Sequence, residues 1–118
     1  MARFAATFAL SLMASPAFAE FAKIDDRETF LAYVEGRELR LGAFGVRLRV
    51  NGDGTIAGSG MGAPVTGTWA WQDGYFCREM DWSGTPIPYN CQLVEVSGAK
   101  MRFTVDRGAG RSADFTLR

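Results

Sequence analysis

The stretch Gly67–Cys91, GTWAWQDGYFCREMDWSGTPIPYNC, decides the fold. It holds all three tryptophans and both cysteines of the chain. Trp69 and Trp71 alternate with Thr68 and Ala70, which is the period of a strand. Asp73-Gly74 follows, the signal of a two-residue hairpin turn. Tyr75-Phe76-Cys77 then begins a returning strand. In that register Gln72 faces Tyr75, Trp71 faces Phe76, Ala70 faces Cys77 and Trp69 faces Arg78. One face of the hairpin carries Trp69, Trp71, Phe76, Arg78 and Met80. The other carries Thr68, Ala70, Gln72, Tyr75, Cys77 and Glu79.

Outward from this hairpin the period stays at two. Upstream, Val46-Arg47-Leu48-Arg49-Val50 alternates cleanly and predicts a half-buried strand with both arginines facing out. Residues 38–41 form a weaker strand. Asn51 to Gly54 is a turn, residues 55–60 a strand diluted by glycine, and Gly62-Ala63-Pro64 a second turn. Downstream, residues 89–96 read as a strand. Pro86 and Pro88 are placed in the loop before it, because proline cannot donate to a ladder. Residues 100–105 and 112–117 complete the set. Seven or eight short strands at this spacing predict a mainly β fold. It is an antiparallel meander rolled into a small barrel or half-barrel.

Residues 20–36 read as one short helix. Asp25 or Asp26 caps its start, and Glu28 stands at the capping-box distance from Asp25. Phe30, Leu31 and Val34 share a face, and Gly36 suits the left-handed terminator. Such a helix is placed to plug one end of the barrel or to cover an edge.

The first 19 residues have the layout of a signal peptide. Arg3 supplies the charge, residues 4–14 the apolar core, and Ala17-Phe18-Ala19 the cleavage site. Removing 19 of 118 residues leaves 99, enough for one domain over residues 20–118 and for no membrane span. The full chain has 13 basic and 13 acidic residues, and only Arg3 goes with the leader. A near-neutral mature chain argues against a nucleic-acid or anionic-membrane partner. The expected setting is the periplasm or the exterior, where Cys77 and Cys91 form a disulfide.

The chain has no histidine. That removes Ser-His-Asp and Cys-His nucleophiles and most zinc and non-haem iron sites. Gly58-Ser59-Gly60-Met61-Gly62-Ala63 spells a dinucleotide fingerprint, but a turn and a strand follow it where the motif needs a helix N-terminus. Asn51-Gly52-Asp53-Gly54 resembles part of an EF-hand loop. The first and twelfth ligand positions would be Arg49 and Gly60, so a hairpin turn is the reading. No cofactor and no metal are expected.

The remaining candidate is the hairpin face Trp69, Trp71, Phe76 and Arg78. With Arg78 stacked on Trp69, it would offer an aromatic wall with one cation, suited to a small anionic or planar ligand. The same residues also read as plain core with an arginine at the rim. An enzyme would instead need Arg78, Glu79, Asp81, Tyr75 and Tyr89 gathered around one cavity.

The runs GTWAWQDGYFCRE, NCQLVEV and MRFTVDRGAGRSADF resemble a family of small exported proteins of alpha-proteobacteria. The shared pattern is G-T-W-x-W-x-D-G-x-x-C-R. Some members carry a dihydrodipicolinate reductase name. That enzyme needs a nucleotide-binding domain and a histidine-containing catalytic segment, and this chain has neither. The resemblance implies a shared fold and export and transfers no catalytic residue. A fainter likeness is to periplasmic metalloprotease inhibitors, in which a segment matching residues 20–24 would reach a protease. A non-enzymatic periplasmic barrel that binds a small ligand or an envelope protein is the expected function. An enzyme or a protease inhibitor is the alternative.

Overall fold

The computed structural model describes residues 20–118. The signal peptide expected over residues 1–19 lies outside them. The elements run β1 (Ala22–Lys23), α1 (Arg27–Val34), β2 (Leu39–Leu41), β3 (Val46–Val50), β4 (Thr55–Gly60), β5 (Ala63–Gln72), β6 (Tyr75–Trp82), β7 (Thr85–Ser97), β8 (Lys100–Thr104) and β9 (Ser112–Leu117). From β2 to β9 each strand pairs antiparallel with the next. The last returns to the first through Leu39–Leu117 and Arg40–Thr116. The result is a closed eight-stranded barrel, an arrangement that removes most exposed edges.

The central hairpin has the register its sequence predicts, from Gln72–Tyr75 through Trp69–Arg78. Asp73 and Gly74 both take positive φ, 53° and 85°, as the mirror-image turn favoured by twisted hairpins requires. Inward residues alternate along each strand. They form one core that includes Leu39, Leu48, Val50, Ile56, Val65, Phe76, Val94, Met101, Phe103 and Leu117.

Four expectations need correction. The helix begins at Arg27 and not at residue 20. Ala22 and Lys23 instead add to β7 opposite Val96 and Glu95, on the edge that β6 leaves beyond Phe76–Gln92. The cap is Asp26, whose Oδ1 accepts the Thr29 amide at 2.8 Å, so Asp25 and Glu28 form no capping box. This bond holds the Asp26 carboxyl below its ordinary range. The turn near residue 62 is only Met61-Gly62, and Ala63 and Pro64 already pair with Gly60 and Ser59.

The fourth correction concerns Pro86 and Pro88, which lie inside β7. Over residues 85–92 this strand has β6 on one side and no strand on the other, since β8 joins only from Leu93 onward. A missing N–H is tolerated at such an edge. The register also slips by one residue, so that Pro88 and Tyr89 together oppose Glu79. Proline is equally at home in such a bulge.

Helix α1 plugs the end of the barrel where the β3–β4 and β5–β6 turns lie. Phe30 is fully buried there, with the rings of Trp69, Trp71, Phe76 and Phe103 at 5.1 to 6.4 Å. The Trp69 indole N–H donates to Asn51 O at 2.8 Å, and that of Trp71 to Asp25 O at 3.2 Å. Arg27 donates to Gly52 O and ties the helix to the β3–β4 turn. Cys77 and Cys91 face each other across β6 and β7 and are bonded.

Candidate functional site

The opposite end of the barrel is open. Its lumen holds two adjoining spaces of about 300 Å³ each, which share Leu48, Met80 and Phe115 as lining. The outer space is bounded by apolar groups, among them Phe44, Met61, Trp82 and Ile87. The inner one has an apolar floor of Val50, Ile56, Phe76 and Phe103. Its polar groups come from Arg78, Gln92, Arg111 and Ser112. Volumes near 300 Å³ sit at the lower end of ligand pockets, roughly 300–1,000 Å³. An eight-stranded barrel has room for about one small ligand.

Arg78 is the unusual member of this lining. It is 9% exposed, and its side chain enters the lumen from β6. Its Nη1 donates to the Pro88 carbonyl at 2.7 Å. The bulge at Pro88–Tyr89 interrupts the regular ladder at this point, which leaves that carbonyl to the guanidinium. Arg78 belongs to no ion pair among the described residues. Burial pushes its pKa below the ordinary arginine value. A guanidinium nevertheless stays charged in proteins, so the lumen carries a net positive group. Five donors in a planar fork suit a carboxylate, sulfonate or phosphate.

The four residues of the sequence-derived face divide between two roles. Phe76 and Arg78 line the lumen. Trp69 and Trp71 lie above it, packed against Phe30 of the plug. The expected stacking of Arg78 on Trp69 gives way to another pair. Arg27 from α1 sits over the Trp69 ring at 5.3 Å, because the helix brings it there and Arg78 turns toward the bulge.

The five residues named for an enzyme do not converge. Arg78 points inward, whereas Glu79 and Tyr89 border a shallow space on the outer face beside Cys77. Asp81 accepts the Gly84 amide in the β6–β7 turn. Tyr75 meets Lys23 and Arg107 on its ring face. The glycines from Gly58 to Gly62 form the β4–β5 hairpin, with no helix after them. Asp53 accepts both the amide and the hydroxyl of Thr55, which makes the Asn51–Gly54 loop a self-bonded turn. Residues 22–24 are stitched to β7, with the Ile24 amide donating to Val94 O, and the Phe21 ring lies under the Arg102 guanidinium.

Gln92 and Arg111 complete the polar lining and were not singled out by sequence. For Gln92 the signal existed, since residues 92, 94 and 96 alternate inward along one strand. Arg111 precedes β9 and follows a glycine-rich turn, where no period indicates direction. No family model, curated protein or solved structure matches this chain.

Proposed function

We propose that the protein is a non-enzymatic binder that takes a small amphiphilic anion into the barrel lumen. The anionic group meets Arg78, with Gln92 beside it and Arg111 at the lip. The apolar body lies along Leu48, Met80 and Phe115. The observation that carries this reading is Arg78 itself, a buried cation in an apolar lumen that has, among the described residues, a single carbonyl partner and no carboxylate. Burying a charge without a counter-ion costs stability, and a bound anion offsets that cost. The disulfide and the signal-like first 19 residues support a periplasmic setting. The likeness to small exported alpha-proteobacterial proteins agrees with it.

The test is native mass spectrometry of the protein purified from the periplasm, followed by titration with anilinonaphthalene sulfonate, a planar apolar anion. One molecule per chain is expected to bind and to be displaced by aliphatic carboxylates. Arg78→Met keeps most of the volume and changes stability by less than about 1.5 kcal/mol. It removes a charge-assisted contact of roughly 1.5–3 kcal/mol, so affinity falls at least about tenfold. Equal affinity in Arg78→Met would reduce this residue to part of the wall and refute the assignment.

A further inference from the structure

The rim of the open end carries two large apolar tips. Phe44, in the β2–β3 connection, is 58% exposed, and Met61, in the β4–β5 turn, is 70% exposed. The Met61 amide donates to Phe44 O at 3.2 Å, so the tips are held side by side. Met61 keeps φ at 51° in the first position of a two-residue turn. That position favours Asn, Asp or Gly, and an unbranched apolar chain has no local reason to occupy it. Asp73 fills the same position in the β5–β6 turn at the plugged end. Packing does not account for Met61 either, given its exposure.

The outer wall beside these tips is basic. Arg40 and Arg47 face each other directly across β2 and β3, one pair in from the base of the Phe44 loop. Arg118, whose backbone pairs with Glu38, borders the same cleft. Like charges placed directly opposite repel. Glu38 sits within ion-pair reach of both Arg40 and Arg49. Arg47 and Arg118 form no ion pair among the described residues. At the plugged end, by contrast, the cations have carboxylate partners, Lys23 with Asp25 and Arg27 with Glu28.

We infer that this rim docks on an anionic lipid surface. Phe44 and Met61 enter the headgroup layer, while Arg40, Arg47 and Arg118 meet lipid phosphates. Although the chain as a whole is near neutral, apolar tips beside Arg47 and Arg118, which form no ion pair among the described residues, match both forces of interfacial binding locally, burial of apolar area and attraction to anionic headgroups. Docked this way, the mouth between Phe44 and Met61 faces the lipid. The inference rests on the rim alone and stands whether or not the lumen holds a ligand.

Co-sedimentation with vesicles tests it. Vesicles of phosphatidylethanolamine and phosphatidylglycerol are expected to carry the protein down, and vesicles of phosphatidylcholine alone are not. Raised salt should release it. Arg47→Gln and Arg118→Gln each lower partitioning about fivefold. Phe44→Ser and Met61→Asn each lower it about tenfold. All four positions are exposed, so a melting curve confirms that each variant is folded. Equal sedimentation with both vesicle types overturns the inference, as does none with either. A dimer in analytical ultracentrifugation that the tip variants dissolve also overturns it, since the rim then serves a second copy of the chain.

Discussion

The two ends of this barrel use the same backbone devices for opposite ends. Both carry two-residue mirror-image turns, Asp73-Gly74 at the plugged end and Met61-Gly62 and Ser83-Gly84 at the open one. At the plugged end four aromatic strand residues close on Phe30, and two indole N–H groups reach backbone carbonyls of flanking segments. At the open end Trp82 makes the same kind of bond, to Gly60 O at 2.8 Å, but among the described residues no α-helix covers the space below. A plug supplied by eight helical residues therefore separates a core from a lumen along one continuous wall. Aromatic content does not distinguish the two ends; the presence of Phe30 does.

Phe30→Ala is the strongest way to break this contrast. It empties the centre of the aromatic cluster and should cost about 3–5 kcal/mol in urea denaturation. A cost under about 1 kcal/mol would mean that the plug is not what orders its end. Replacing Cys77 and Cys91 by serine removes a bridge with a sequence separation of 14. The chain-entropy argument gives about 3 kcal/mol for a loop of this size. Because the bridge lies midway along the wall, both ends should loosen together in amide exchange. Protection lost at one end only would contradict that.

Acid should act on the plugged end. The Asp26 carboxyl is held below its usual range by the Thr29 amide, and that of Asp53 by Thr55. A depressed folded-state pKa means stability that is present above the unfolded value and lost as pH falls through the folded one. Amide exchange at Thr29 and Phe30 should therefore rise below about pH 4. Asp26→Asn keeps a capping acceptor without titrating and should flatten that rise. An unchanged pH profile in Asp26→Asn would remove Asp26 as the cause.

At the open end the effects on stability shrink or change sign. Met61→Asn suits the left-handed turn and should raise stability by up to about 1 kcal/mol. Phe44→Ser should change it by less than about 0.5 kcal/mol. A large loss in either variant would make the rim part of the core and erase the difference between the ends.

Most of the wall was legible because a strand's period and a turn's residues are local. The register from Gln72–Tyr75 to Trp69–Arg78 follows from Asp73-Gly74 alone. The prolines of β7 misled because their tolerance depends on a partner strand that is absent over residues 85–92, which no local pattern records. Arg78 was found on the right face, yet its partner was missed. The bulge at Pro88–Tyr89 and the arrival of Arg27 over Trp69 are both non-local. Ala22 and Lys23 joined a strand for the same reason, since their edge exists only once β6 has ended.

The pairing of β2 with β9 has a kinetic consequence. The seven hairpin contacts from β2 to β9 join neighbours in the chain and form early. The closing contact joins Leu39 to Leu117, almost the whole length of the barrel wall. Phe30 likewise waits for Phe76 and Phe103 before its pocket exists. Contacts of such separation are slow, because loop entropy is lost before they reward it. A chain made from its N-terminus cannot complete this barrel until its last strand is free. Until then Leu39 and Leu117 each sit on an open strand edge, and that interval is when the molecule is most exposed to pairing with another chain.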